Sequence, residues 1–316
     1  MEPIPKCALC GSDSFDDYSL GFDYESLTCA NCWKFVSCRN CKHVWLNPRP
    51  AIETLPIIYP PTYYAYDFEH RINRIAVKAK EILDRKKFGS ILRHATRAPQ
   101  SYIDIGCGSG RFLKLMELSG LKRSGIYGLE LDEKVVLRLK EAGYQASCER
   151  VETASRIPKA GIDLATMFHV IEHVDNPVDV VQRVSEWLSP GGLFAIETPN
   201  LDSWDARLFK PTYWGGYHFP RHWHLFSPQT LRRMLEQVGL EVVSVKYTTG
   251  HSFWMYSLHH KLRYGKTPHP ILAKVFNPLK SLFILGGFTA FDKFRAAIGF
   301  KTSAMLMVAK KPSQAK

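Results

Sequence analysis

No run of about 18 apolar residues occurs in this chain, and the longest apolar stretch, Leu282–Phe291, is short and broken by Gly286 and Gly287. A membrane-spanning helix is therefore not expected. The opening residues MEPIPKC lack a basic segment followed by an apolar core, which argues against a secretory leader and for the cytoplasm. Acid is scarce at the other end. From Lys246 to Lys316 there are 12 Lys and Arg against one acid, Asp292, in a chain whose net charge is +12. Such a basic third suits an anionic partner (phosphate, nucleic acid or a membrane surface) or a solvated basic face. The first 60 residues, by contrast, are slightly acidic. At 316 residues, 45% hydrophobic and 23% charged, the composition is that of an ordinary globular protein with room for one large domain and an addition.

Cysteine is rare except at the start, where six of the 8 form three Cys-x-x-Cys pairs: Cys7/Cys10, Cys29/Cys32 and Cys38/Cys41. Without a leader, a metal site is favoured over disulfides. One tetrahedral zinc ion takes four thiolates, so three pairs are one too many. Cys7, Cys10, Cys38 and Cys41 are favoured, because Gly11 and Lys42 follow the second cysteine of each pair and suit a knuckle turn. Cys29 and Cys32 remain as surface thiols or an alternative ligand pair. Four thiolates leave no open position, so the zinc is expected to be structural. A Pro/Tyr-rich link, Tyr59–Tyr66, follows, then apolar positions Ile72, Ile75, Ala79, Ile82 and Leu83 at helical spacing within 71–95, with a solvent-facing basic side.

Residues 101–113, SYIDIGCGSGRFL, are the most informative stretch. An apolar strand runs into Gly106, Gly108 and Gly110 and then into a helical stripe beginning at Phe112 and Leu113. Glycine permits the tight turn and close approach of a ligand. Strands are expected over 125–130, 144–148, 162–168, 192–198, 240–247 and, antiparallel, 303–310. Helices are expected over 133–142, 176–188 and from the Ser227 cap onward. This alternation predicts an α/β fold with a doubly wound, Rossmann-like, mostly parallel sheet of seven strands and a small N-terminal module. One residue, not two, precedes the last glycine, so the turn departs from the dinucleotide spacing and suits a nucleoside without pyrophosphate.

The segments Asp104–Gly110, Glu130, Phe168-His-Val-Ile-Glu-His-Val174 and Leu188-Ser-Pro-Gly-Gly192 resemble the class I S-adenosylmethionine-dependent methyltransferases. The His-Val-Ile-Glu-His-Val form and His224-Leu-Phe-Ser-Pro are similar to the ubiquinone-biosynthesis-type branch. The paired-cysteine module followed by Leu-Asn-Pro-Arg-Pro50 resembles bacterial members, some of which act on nucleotide sugars or surface glycans. The resemblance covers residues 100–247. It implies that Asp104, Gly106, Gly108, Gly110, Glu130, Phe168 and His169 hold S-adenosylmethionine, with Asp104 orienting the turn or holding the amine and Glu130 on the ribose. Glu152 is a less clear partner for the adenine.

His169-Val-Ile-Glu-His173 formally matches the inverted zinc-protease pattern, but it follows a strand at the ligand edge and no third ligand comes after it. His169 or His173 is expected to accept a proton from an acceptor hydroxyl, with His222 a further candidate base. The other reading is a turn cap and a packed ring, and Glu172 with the histidines could instead hold a divalent metal. Residues 203–226 are unusually rich in aromatics and histidine for a connector. Tyr213, Trp214, Tyr217, His218 and Arg221 are expected to meet the acceptor, Arg221 through a phosphate or carboxylate. The bland alternative is a packed lid.

The expected organisation is a module over 1–50, a linker and basic helix over 51–98, and a methyltransferase domain over 99–316 with insertions at 201–226 and 250–301. The second insertion interleaves Phe276, Phe283, Phe288, Phe291, Phe294 and Phe300 with lysine and arginine. That pattern suits an interfacial helix on an anionic membrane, RNA, or a helical pair over the pocket. The expected activity is methyl transfer, on oxygen or carbon, to a small-molecule, sugar or lipid-linked acceptor. An RNA methyltransferase is the enzyme alternative, with the acidic module against it, and a cofactor-binding scaffold without turnover is the non-enzymatic one.

Overall fold

A computed structural model describes residues 1–59, 74–278 and 281–313. The larger of its two sheets has seven strands in the order β6-β5-β4-β7-β8-β11-β10. These are β4 (Tyr102–Ile105), β5 (Ile126–Leu129), β6 (Gln145–Ser147), β7 (Ile162–Phe168), β8 (Leu188–Pro199), β10 (Glu241–Thr248) and β11 (Ala304–Lys310). Strands β4 to β8 run parallel, and β11 closes antiparallel between β8 and β10. The expected sheet is thus present. Strand β4, Tyr-Ile-Asp-Ile, flanked by β5 and β7, is buried at all four positions, as a parallel strand covered on both faces must be. Strand β8 starts at Leu188 rather than Gly192, because Ile162 pairs with Leu188 before a register shift.

Helices α3 (Arg111–Leu118), α4 (Glu133–Glu141), α5 (Pro177–Trp187) and α7 (Pro228–Gln237) cover the sheet. Their starts are written locally. Asp132 and Asn176 accept from the first free backbone N–H groups of α4 and α5, and Ser227 with Thr230 forms a reciprocal capping box on α7. After β8, α6 spans Trp204–Phe209. The 250–301 insertion is three helices, α8 (His251–Tyr264), α9 (Pro270–Val275) and α10 (Leu282–Ala297).

The second sheet has the order β1-β2-β3-β9, from β1 (Phe15–Gly21), β2 (Trp33–Cys38), β3 (Val44–Leu46) and β9 (His224–Leu225). Its fourth strand comes from the 201–226 insertion: Val44 pairs with Leu225 and Trp45 with His224. The cysteine module therefore shares a sheet with the segment expected to meet the acceptor. The short helix α1 (Leu55–Ile58) follows it. Apart from Tyr59, the Pro/Tyr-rich link lies outside the described residues.

Helix α2 (Arg74–Leu92) corrects an expectation. Ile82 and Leu83, assigned to its apolar face, are exposed, while Phe88, Ile91 and the acid Asp84 are buried. Nor is its basic side all solvent-facing. Lys87 forms an ion pair with Glu197 at the end of β8 and lies 4.8 Å over the Phe168 ring. Arg111, at the start of α3, lies 3.3 Å from the buried Asp84.

Candidate functional site

At the carboxyl end of β4 the chain turns through Gly106, Gly108 and Gly110, all at positive φ (74°, 49° and 81°). A side chain at Gly106 would strike Val170 at 2.4 Å, whereas Gly108 faces open space. Both Gly106 N and Cys107 N donate to the Leu129 carbonyl, which ties the turn to β5. Asp104 sits beneath it, 2% exposed. Its Oδ1 accepts from the Thr166 hydroxyl at 2.7 Å, and its Oδ2 is buried with no partner. Burial pushes its pKa up to about 7; the Thr166 hydrogen bond opposes this and the Glu130 charge adds to it.

Glu130, at the end of β5, closes across the turn, accepting from Gly108 N at 2.9 Å and from Leu131 N at 2.7 Å. A lone buried carboxylate oxygen beside an open glycine turn fits a ligand carrying an ammonium group. Glu152 lies 3.7 Å from Arg150, with its Oε1 buried and unpartnered. Phe168 ends β7 and meets Phe112 edge-on at 5.3 Å, and Phe88 of α2 packs on Phe112 at 5.4 Å. Sequence reasoning missed Lys87, Phe88 and Asp84, because a lysine and an acid on a basic helix carry no local mark of what they face.

His169 follows Phe168 at φ 56°, a left-handed conformation that a β-carbon strains and that concentrates at functional positions. Its side chain is 46% exposed. Its Nδ1 lies 3.3 Å from Glu172 Oε1, and the other oxygen of this buried carboxylate accepts from the Thr198 hydroxyl at 3.0 Å. The surrounding protein pulls the imidazole's pKa down, but the Glu172 hydrogen bond and the charges of Glu172 and Glu197 outweigh it. The net direction is upward from 6.5.

His173 and His222 differ. His173 Nδ1 lies 2.9 Å from the Arg221 carbonyl and 3.0 Å from the Tyr59 hydroxyl, and His222 Nδ1 lies 2.8 Å from the Gly216 carbonyl. A carbonyl can only accept, so each Nδ1 carries the proton and each Nε2 a lone pair. Burial lowers both pKa values. Ligand atoms of Glu172, His173 and His222 lie within 4.8 Å of one another.

The 201–226 loop corrects the sequence reading most. Arg221 is fully buried, with its two terminal nitrogens on the Asp23 carboxylate at 2.9 and 3.1 Å and its Nε on the Ile58 carbonyl. A guanidinium so engaged does not present itself to a substrate anion. Trp214 donates to Asp205 at 2.7 Å, and Tyr217 packs against Phe35 and Phe219. His218 lies 2.8 Å from Glu25. Tyr213, half-buried, donates to the Tyr264 carbonyl. Most of these side chains join the loop to the module and to α8, as the packed-lid alternative requires.

The sulfurs of Cys7, Cys10, Cys38 and Cys41 converge within 4.8 Å, with Cys7–Cys41 at 3.4 Å and Cys10–Cys38 at 3.5 Å. Thiolates about 2.3 Å from a tetrahedral ion stand roughly 3.8 Å apart, so the cluster fits one. Gly11 and Lys42 take positive φ (72° and 63°), and each donates back to the first cysteine of its pair. Burial raises Cys7 and carries Cys41 up to about 11. At Cys38 the backbone N–H groups of Cys41 and Asn40 outweigh burial and bring the thiol to about 7. Cys29 and Cys32 are outside the cluster.

Residues 68–245 match a family model described as a methyltransferase domain. Ubiquinone biosynthesis O-methyltransferase of Nitrosospira multiformis is 29% identical over 171 residues, 50% of this chain and 70% of the relative. Its namesake in Chromobacterium violaceum is 30% identical over 159 residues, 47% of this chain and 67% of the relative. A solved S-adenosylmethionine-dependent methyltransferase from Archaeoglobus fulgidus aligns with TM-score 0.49 and 20% identity, over 79% of this chain and all of that one. The chain belongs to the methyltransferase-domain family and is an S-adenosylmethionine-dependent methyltransferase.

Proposed function

We propose that the protein methylates a hydroxyl of a small-molecule, sugar or lipid-linked acceptor, with His169 as general base and Glu172 as the group that orients it. The observation that carries this is the Thr198–Glu172–His169 chain at the end of β7. The Glu172 carboxylate accepts from His169 Nδ1–H, fixes that tautomer and leaves Nε2 with a lone pair on the half-exposed ring. Bound S-adenosylmethionine would supply an electrophilic methyl group. Asp104, with its unpartnered Oδ2, would take its ammonium, the Gly106–Gly110 turn its amino-acid portion and Glu130 its ribose. As the acceptor oxygen is methylated, His169 Nε2 takes the hydroxyl proton, and Glu172 stabilises the resulting imidazolium without being protonated. His173 and His222, locked by backbone carbonyls, brace the segment. Oxygen is favoured over carbon because the named relatives are O-methyltransferases. The cysteine centre would hold a structural zinc ion.

The test is turnover of methyl-labelled S-adenosylmethionine with cell extract, partitioned into organic, aqueous and ribonuclease-sensitive fractions. Label in a small-molecule fraction is expected, and label released by ribonuclease would favour the RNA alternative. His169→Ala and Glu172→Gln should lower turnover by about 10²–10⁴-fold while S-adenosylhomocysteine affinity holds. Unchanged turnover in His169→Ala removes the base assignment. Turnover lost on chelation and restored by magnesium or manganese would replace it with a metal at Glu172, His173 and His222.

A further inference from the structure

Helix α10 is inverted relative to an ordinary surface helix. Its one acid, Asp292, is fully buried, accepting from Gly250 N at 2.9 Å and Trp254 Nε1 at 3.2 Å, and Arg295 is buried beside it at 3.3 Å. Phe288 lies flat on Trp254 of α8, 5.8 Å between centroids. Facing outward instead are Phe283 and Phe294, 94% and 64% exposed, with Gly287, Ala290 and Ala297 on the same stripe. Ile298 and Phe300 continue it, 54% and 57% exposed, and Ile271 of α9 is 82% exposed. Along α10 an apolar stripe of this kind in water marks a contact surface.

Within the segment that carries the stripe the exposed charges are basic, although Lys301, next to Phe300, is paired with Asp202. Lys274 and Lys293 are exposed, and from Lys246 to the end of the chain Asp292, turned inward, is the sole acid. We propose that α9 and α10 form a docking surface for an anionic lipid bilayer, with the phenylalanines entering the headgroup boundary and the lysines meeting lipid phosphates. A second copy of the chain would set lysine against lysine, whereas anionic lipid supplies the opposite charge. No described helix is long and apolar enough to cross a membrane, so α10 lies along it. Helix α8 links this surface to the methyl-transfer site: Trp254 carries α10, and the adjacent Phe253 ring is 6.5 Å from that of His169.

The test is flotation of the whole protein with phosphatidylglycerol/phosphatidylcholine vesicles against pure phosphatidylcholine, with sedimentation of the lipid-free protein alongside. Binding to the anionic vesicles is expected, weakening as salt rises. Phe283→Ser with Phe294→Ser should reduce it about tenfold or more, and Lys274→Glu with Lys293→Glu several-fold, on anionic vesicles only. These side chains are exposed, so the variants should keep the wild-type melting temperature and S-adenosylhomocysteine affinity, which separates this result from any failure of the base assignment. No vesicle binding by the wild type, or binding indifferent to the phenylalanines, overturns the proposal. Lipid-free dimers that the phenylalanine variant abolishes would assign the surface to a second copy instead.

Discussion

Asp23 and Arg221, 198 residues apart in the chain, form a two-pronged ion pair with both side chains fully buried. Asp23 lies in the β1–β2 connection of the cysteine module, where it also accepts from Ser26 N, Thr28 N and the Thr28 hydroxyl. Arg221 lies in the insertion that supplies β9, and its own carbonyl accepts from His173. Module, insertion and the segment after β7 are therefore one mechanical unit.

Removing one partner of such a pair leaves a buried charge uncompensated, at a cost of about 3–5 kcal/mol. Asp23→Ala should lower stability by that order and abolish turnover, because the loop carrying the His173 contact is released. Asp23→Ala with Arg221→Met should recover part of the loss in denaturant melts. Strict additivity of the two changes would show that the pair is not coupled.

With His169 as the proposed base, its raised pKa should set the acid limb of activity. Its imidazolium persists above 6.5, so turnover should rise with pH through that higher value. The same pair stabilises the fold only in its protonated form, fully below 6.5 and not once pH has risen past the folded value. Glu172→Gln removes the carboxylate that sustains the cation. Its residual activity should show the acid limb displaced to lower pH, and an acid limb in the same place would mean that another group sets it.

Asp104 gives a slope of the opposite origin. Its pKa rises from 3.8 in the unfolded chain to about 7 in the fold, so the folded protein holds a proton that the unfolded chain has lost across that range. Stability should fall as pH rises from about 4 to about 7, by roughly 4 kcal/mol at the limit of a full shift. Asp104→Asn should flatten that slope in denaturant midpoints taken at pH 5 and 8. Affinity for S-adenosylhomocysteine should improve as pH rises through about 7 in the wild type but not in Asp104→Asn.

What the sequence displays tracks how local each cause is. The glycine turn, the Asp132, Asn176 and Ser227 caps and the knuckle turn of each cysteine pair depend on neighbours a few residues away, so spacing announces them. Arg221 reads as an anion site because its chemistry suits one, and nothing near it reveals Asp23. The Lys87–Glu197 pair spans 110 residues, and α2 buries Phe88 and Ile91 rather than Ile82 and Leu83, neither of which its own periodicity displays. His169 and Glu172 could be nominated from their segment, but preferring His169 over His173 needed the structure, which gives His169 a carboxylate partner and a half-exposed ring and gives His173 Nδ1 only a neutral carbonyl and hydroxyl.

The cysteine centre makes the last prediction, because β3 follows Cys41 directly and pairs with β9. One zinc per chain should be found by elemental analysis, lost in Cys38→Ser and retained in Cys29→Ser and Cys32→Ser. Stripping it should loosen β2, β3 and the paired β9, and with them the Arg221–His173 contact, since structural zinc contributes folding energy directly. The glycine turn belongs to the other sheet, so S-adenosylhomocysteine should still bind the stripped protein while turnover is lost. Full turnover without metal would show that the module is an appendage despite the shared sheet, and zinc lost from Cys29→Ser would return the second pair to the ligand set.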